Sequence, residues 1–532
     1  MLFFIFQLLK HNRHISFIIL TIALFLNSCK TLEKQNSQLT KLHSTKEILN
    51  DIDFVQKKLK LHPSLYWYIS KEELDNKFDS LKKTITSPLT SNEFYFIISP
   101  ILSSIREGHL SITPIVKKYP KKQLKKLNKS KGPISQFEYY FNDQQLLILK
   151  NNSDNNQILS GSEVLSINEI SPFSLFKKYA NTYTSDGFNK TYIERTKPYY
   201  ITNFYYYELG LRDSLLFKIK SNDSINYYWI KRKTAPKSPI NNNKQNIESS
   251  NLLKINKKAE FTKRKINGFN KNKNQYSKEL SFIGSDSSIA MIKINDFVFG
   301  NYKLFYQKSF EKIEQLKIKT LIIDLRGNKG GKLKEIEFLY SFLTNTNFIF
   351  SQKTEVASRF SLLHINYFGK GSLLTKLLKT TTYPSLVAYL LYKTEKSDDG
   401  KFYFKSKSAE YSKPRNPNYS GNIYVLIDGS SFSASCILAS NLKGSKRAIF
   451  VGEETGGAYN GTVAGFLPSY TLPNTKLEIR LGLMTIKPYY QTDTLGRGIF
   501  PDITIEPKFI DYQNKQDSAL KWIIENVNSN RN

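Results

Sequence analysis

Four serines crowd one turn of the 532-residue chain: Ser430, Ser431, Ser433 and Ser435, within IDGSSFSAS. An apolar, β-rich run from Ile423 to Ile427 leads into that turn, Asp428-Gly429 breaks it, and helical spacing runs from Ala434 to Leu442. A hydroxyl where a buried strand enters a helix is well placed to be a nucleophile, because the unpaired N–H groups of the first helical turn stabilise an oxyanion. The plainer role for serine in this position is to cap the helix. A second loop has a related form. Asp324 to Gly331 (DLRGNKGG) follows the apolar strand Thr320 to Leu325 and opens a helix, and its paired glycines let the backbone turn sharply and present N–H groups. Neither a Walker spacing nor a GxGxxG follows this strand, which sets nucleotide binding aside. His109, in REGHLSI, sits where Gly108 ends a helix and Leu110 and Ile112 begin an extended segment.

The elements that must position these groups alternate. Ile289 to Ile294 reads as a strand, Tyr302 to Leu316 as an amphipathic helix, and Thr320 to Leu325 as a strand buried on both faces. With Ile423–Ile427, the helix after it and a strand at Ala448–Val451, this is the rhythm of an α/β core spanning 279–510, with 350–417 as an insertion and 511–532 as a closing helix. Upstream, 46–115 reads as three helices: one carrying Ile48, Ile52, Val55 and Leu59, then Leu74–Ile85 and Asn92–Ile105. Residues 130–232 read as β-rich. Their segment ILSGSEVLSINEI, followed by a helix from Phe173 to Tyr179, resembles a PDZ domain, a module that takes up extended peptides. Residues 233–278 are polar and basic and read as a loosely held linker.

A formal charge of +33 invites nucleic acid as a partner. Lysine is spread along the whole chain and no nucleic-acid-binding motif accompanies it, so nucleic acid is not expected. Lys10, Arg13 and His14 precede an apolar run, Ile15 to Leu26, which ends in Leu26-Asn27-Ser28-Cys29. The run is too short to span a bilayer and has the polarity of a secretory signal. Its ending resembles a bacterial lipoprotein signal, implying cleavage of 1–29, lipidation at Cys29, a polar tether over 30–45 and membrane anchoring in the cell envelope. Cys436 is then the sole remaining thiol, and no intrachain disulfide forms.

Taken together, IAMIKINDF, LIIDLRGNKGG and SFSASCILASNLKGSKRAIFVGEETGG resemble the S41 peptidases, the family of C-terminal processing (tail-specific) and tricorn-like serine peptidases. The similarity covers about 220 residues, Ile289 to Ile505. It implies a ClpP/crotonase-like core and hydrolysis of protein or peptide substrates without metal or cofactor. Carried over by position, the nucleophile is Ser433, and the oxyanion hole comes from the N–H groups of Gly330 or Gly331 and Ala434. The processing proteases place a lysine base where this chain has Ala458; Lys443 lies at the far end of the helix from Ser433. The tricorn-like branch uses a histidine at the position of His109. The resemblance therefore implies a Ser433–His109 pair, with Glu107, Glu453 and Asp493 open as the orienting third group. The competing expectation is a catalytically inactive lipoprotein that binds peptides or an apolar ligand on the same core.

Overall fold

The computed structural model describes residues 32–142, 144–234, 258–271, 273–284, 288–369 and 371–529. The signal segment through Cys29 lies outside them, as does 235–257 of the basic stretch. The first helices are those the apolar spacing predicts: α1 (Thr45–Leu59), α2 (Lys71–Thr84) and α3 (Ser91–Ser103). Capping boxes start α1 and α3, where Ser44 and Thr90 accept from the N–H groups of Glu47 and Glu93. The expected tether is not free over its whole length. Leu42–His43 pairs with Leu89–Thr90, and His43 is fully buried against Ser91.

A five-stranded antiparallel sheet follows: β1 (Phe137–Asn142), β2 (Gln145–Asn151), β3 (Glu163–Ile167), β4 (Ser214–Ser221) and β5 (Ser224–Lys231), in that order. Two helices lie between β3 and β4, α4 (Pro172–Tyr179) and α5 (Thr191–Leu209). The second departs from the β-rich expectation. Its tyrosines read as strand formers, yet Tyr192, Ile201, Phe204 and Tyr205 are buried at helical spacing. Residues 258–267 also form a helix inside the stretch read as a linker.

The core sheet runs β6 (Lys278–Ile283), β7 (Ile289–Ile294), β8 (Thr320–Asp324), β9 (Asn422–Ile427), β10 (Ile449–Gly452) and β11 (Ile503–Thr504). All neighbours are parallel except the edge pair β6–β7. Its central strands are apolar on both faces because both are covered. Leu321 and Ile323 pack with α6 (Tyr302–Gln315), α7 (Leu333–Tyr340) and α8 (Ala434–Gly444). Ile322, Tyr424 and Leu426 pack under α9 (Ser518–Ser529). Arg326 holds that last helix in place, bonding Asp324 at 2.9 Å and Asp517 at 2.7 Å.

The insertion is woven into the body. Its strands Thr354–Val356, Thr394–Lys396 and Phe402–Phe404 join Met484–Ile486 and Thr462–Ala464 in a second five-stranded sheet. Between them runs an exposed 21-residue helix, Leu373–Lys393. Among the described residues no helix is long and apolar enough to cross a membrane.

One buried ion pair ties β6 to α7. Lys278 is 0% exposed; its Nζ donates to Glu335 Oε1 at 2.9 Å and to the Phe299 carbonyl at 2.7 Å. Removing one partner strands the other charge, so Lys278→Met is expected to lower unfolding stability by about 3–5 kcal/mol. In a denaturant titration the double variant Lys278→Met/Glu335→Leu should recover most of that loss.

Candidate active site

Strands β8 and β9 are adjacent and parallel, with Asp324 opposite Leu426, so their following loops emerge side by side at one edge of the sheet. This edge is where parallel α/β sheets place their sites. Asn328 binds the two loops together. Its backbone oxygen accepts from Phe432 N at 3.0 Å and Ser435 Oγ at 2.8 Å, and its Nδ2 donates to the Ile294 carbonyl at 2.9 Å. Ser431 Oγ donates to the Leu325 carbonyl at 2.9 Å. Ser431 and Ser435 are thus fully buried fasteners between the loops.

Ser433 is different. It is the N-cap of α8 but makes no capping bond, and its backbone is left-handed, φ 57° and ψ −119°. A β-carbon in that conformation is strained by about 1–3 kcal/mol, a cost met chiefly where a side chain must be aimed. Glycines make room for it. A Cβ on Gly330, at φ +96°, would stand 2.8 Å from Ala434 N and 2.9 Å from Ser433 Cβ; one on Gly331 would stand 2.4 Å from the Phe297 carbonyl. Gly330→Ala is accordingly expected to destabilise the fold by about 3 kcal/mol in urea titration. The Gly330 N–H donates to Asn328 Oδ1 at 2.8 Å. Among the described residues, the N–H groups of Gly331 and Ala434 have no such acceptor.

His109 reaches the same place from the N-terminal region. Arg106, at φ 57°, turns the chain out of α3, and the strand Ser111–Thr113 then pairs with Glu478–Arg480. Gly108 is needed because a Cβ there would meet Phe432 at 2.6 Å. The His109 ring lies 5.1 Å from the Phe432 ring, the residue before Ser433. Both His109 and Ser433 line one cleft of ≈ 800 Å³, with Gly330, Gly331, Ala434 and Arg480. No direct hydrogen bond joins hydroxyl to imidazole in the free chain.

Behind the ring lies a buried polar cluster that joins Glu107, one of the three candidates for the third group, to Thr462 and Asp186, which the sequence did not reveal. His109 Nδ1 is 3.1 Å from Thr462 Oγ1, which donates to Glu107 Oε1 at 3.3 Å. Glu107 Oε2 accepts from Val463 N at 3.1 Å. Asp186 Oδ1 accepts from Gly108 N at 2.8 Å. Burial and the neighbouring Asp186 carboxylate push Glu107 well above the usual carboxylate range. Burial pulls His109 below the ordinary imidazole value; Asp186 opposes the shift and Arg480 adds to it. His62 is buried beside Glu107, with Nε2 3.8 Å from Oε2, and is pulled down to about 3 by burial and by His109. Thr462 and Asp186 lie 353 and 78 residues from the loop they serve, with no local pattern to mark them.

The other candidates are elsewhere. Glu453 pairs with Arg195, bonded by Nε at 2.6 Å, and Asp493 is exposed. Lys443 pairs with Asp502. Ala458 is buried at 2% exposure, and the lysines that line the cleft, Lys273, Lys329 and Lys332, stand on other segments. The Cys436 thiol is buried, donates to the Ser431 carbonyl at 3.2 Å and is pushed up to about 12 by burial, which keeps it protonated.

Comparisons with known proteins bear on the family and the fold. Residues 288–505 match the model of peptidase family S41. The tail-specific protease of Haemophilus influenzae is 26% identical over 250 residues, covering 45% of this chain and 28% of that protein. The chain therefore spans little more than a quarter of that relative's length. Two solved structures, of mature CPAF and of mature CPAF complexed with lactacystin, each share 15% identity at a TM-score of 0.55. Each covers 91% of this chain, and the chain covers 96% and 97% of theirs, which shows a common fold. The core of this chain, residues 288–505, belongs to peptidase family S41.

Proposed function

We propose that the chain is a serine endopeptidase that cleaves proteins or peptides through an acyl-enzyme on Ser433, with His109 as general base. The observation that carries this reading is the strained, uncapped Ser433 sharing a cleft with His109. With Thr462 donating to Glu107, the Thr462 oxygen is left to accept from His109 Nδ1–H. That leaves the Nε2 lone pair for the Ser433 proton. Glu107, carried to the ring through Thr462, is the orienting group, and Asp186 braces the turn at Gly108.

Substrate binding closes the gap between hydroxyl and imidazole, as such bonds in free enzymes tighten in the Michaelis complex. His109 takes the Ser433 proton, and the alkoxide attacks a peptide carbonyl. The N–H groups of Gly331 and Ala434 hold the resulting oxyanion, while that of Gly330 stays on Asn328. His109 then protonates the leaving amine, and water hydrolyses the ester. The Ser–His pairing, in place of a Ser–Lys pair, aligns the chain with the tricorn-like branch. The sheet β1–β5 with its two helices serves as the PDZ-like, peptide-presenting module. The lipid anchor at Cys29 would hold the enzyme in the cell envelope. An inactive peptide-binding relative would have no use for a strained, uncapped serine.

Incubating the protein with a denatured protein mixture and mapping new termini by mass spectrometry tests the proposal. Internal cuts that vanish in Ser433→Ala are expected; a product set shared by the wild type and that variant would overturn the reading.

A further inference from the structure

The cluster behind His109 holds more polar groups than orientation of one imidazole requires. Donor atoms of Glu107, His109 and Asp186 all lie within 4.8 Å of one another. His62 joins them, its Nε2 3.8 Å from Glu107 Oε2. One side chain of the group lacks partners: neither His62 ring nitrogen has a hydrogen bond, although the residue is 3% exposed. Buried polar atoms are nearly always satisfied, so an unpartnered imidazole beside three clustered donors marks a place where something else binds.

From this geometry we infer that His62, Glu107, His109 and Asp186 form a binding site for a first-row divalent cation such as Zn²⁺. Two imidazoles and two carboxylates are a borderline N/O donor set, suited to Zn²⁺ rather than to Ca²⁺ or Mg²⁺, which favour all-oxygen shells. Zn²⁺ bonds of about 2.0–2.2 Å place tetrahedral ligands about 3.3 Å apart; Glu107, His109 and Asp186 close on an ion by small side-chain movements, and His62 swings in from beside Glu107 to complete the set. The cleft gives an ion its route, since His109 lines it and the carboxylates lie just behind. The consequence for activity rests on the peptidase reading. A His109 held by the metal cannot take the Ser433 proton, so the occupied site is an off state of the enzyme.

The test uses the full chain in detergent, freed of metal by a chelator. Zn²⁺ titrated in competition with a chromophoric chelator should bind at one ion per chain, and His62→Gln should weaken it at least 10-fold. Saturating Zn²⁺ should slow fluorophosphonate labelling of Ser433 at least 10-fold in the wild type, reversibly with chelator. It should have little effect in His62→Gln. Equal affinity in the two proteins, or uptake that does not saturate at one ion per chain, overturns the inference. Should His62→Gln fail to fold, Co²⁺ added to the wild type decides. Intense visible ligand-field bands of a four-coordinate N/O site support the site, and the weak spectrum of the aquo ion overturns it. One-to-one binding lost in His62→Gln, in a protein that never labels, keeps the metal site and sinks the peptidase reading.

Discussion

Ser433→Ala is expected to lower kcat/KM for peptide hydrolysis by about 10⁶-fold, because loss of the nucleophile disables every step in which His109 takes part. The effect should be confined to chemistry. The Ser433 hydroxyl makes no capping bond, so its removal leaves no buried partner unsatisfied. The folds of Ser431 and Ser435 respond oppositely. Their hydroxyls donate to the Leu325 and Asn328 carbonyls from fully buried positions, so alanine there should cost stability, by about 1–2 kcal/mol. Ser433→Gly extends the argument. Glycine adopts φ 57° without the Cβ penalty, so this inactive variant should be more stable than the wild type, by about 1 kcal/mol in urea titration.

His109→Ala should lose activity on nearly the same scale, about 10⁵–10⁶-fold, and the double variant with Ser433→Ala should be little worse than either alone. The pH profile carries a second signature. His109 works as a base, so kcat/KM should rise as the ring loses its proton, with the acid limb below the ordinary imidazole value because burial disfavours the charged ring. The groups facing the ring are Asp186, Glu107, His62 and Arg480. Arg480 disfavours the imidazolium, so Arg480→Gln should move the acid limb to higher pH. A limb that ignores both His109 and Arg480 would point to a different base.

The parallel core was legible because burial on both faces turns its strands into near-continuous apolar runs, as at Leu321–Ile323 and Val425–Ile427. The loop that carries Ser433 was legible for a related reason, since strand, turn and helix follow within a dozen residues. Helix α5 was not. Its Tyr-rich sequence and internal Pro198 argue for strand or loop, and it is packing that decides, with Tyr192 against Phe432 at 4.6 Å. The proposal of Ser433 as the nucleophile came from family position alone. What supports it is a backbone turned left-handed at Ser433 while its neighbours fasten loops. Thr462, Asp186 and His62 stayed hidden because their partnership with His109 exists only after three separate segments have folded together.

The most direct test is to label the chain with a fluorophosphonate and map the modified residue by mass spectrometry, in the wild type and in His109→Ala. The account predicts a single adduct on Ser433, formed at least 10³-fold more slowly when the imidazole is gone. An adduct on another residue, or a Ser433 that reacts equally fast without His109, would contradict it.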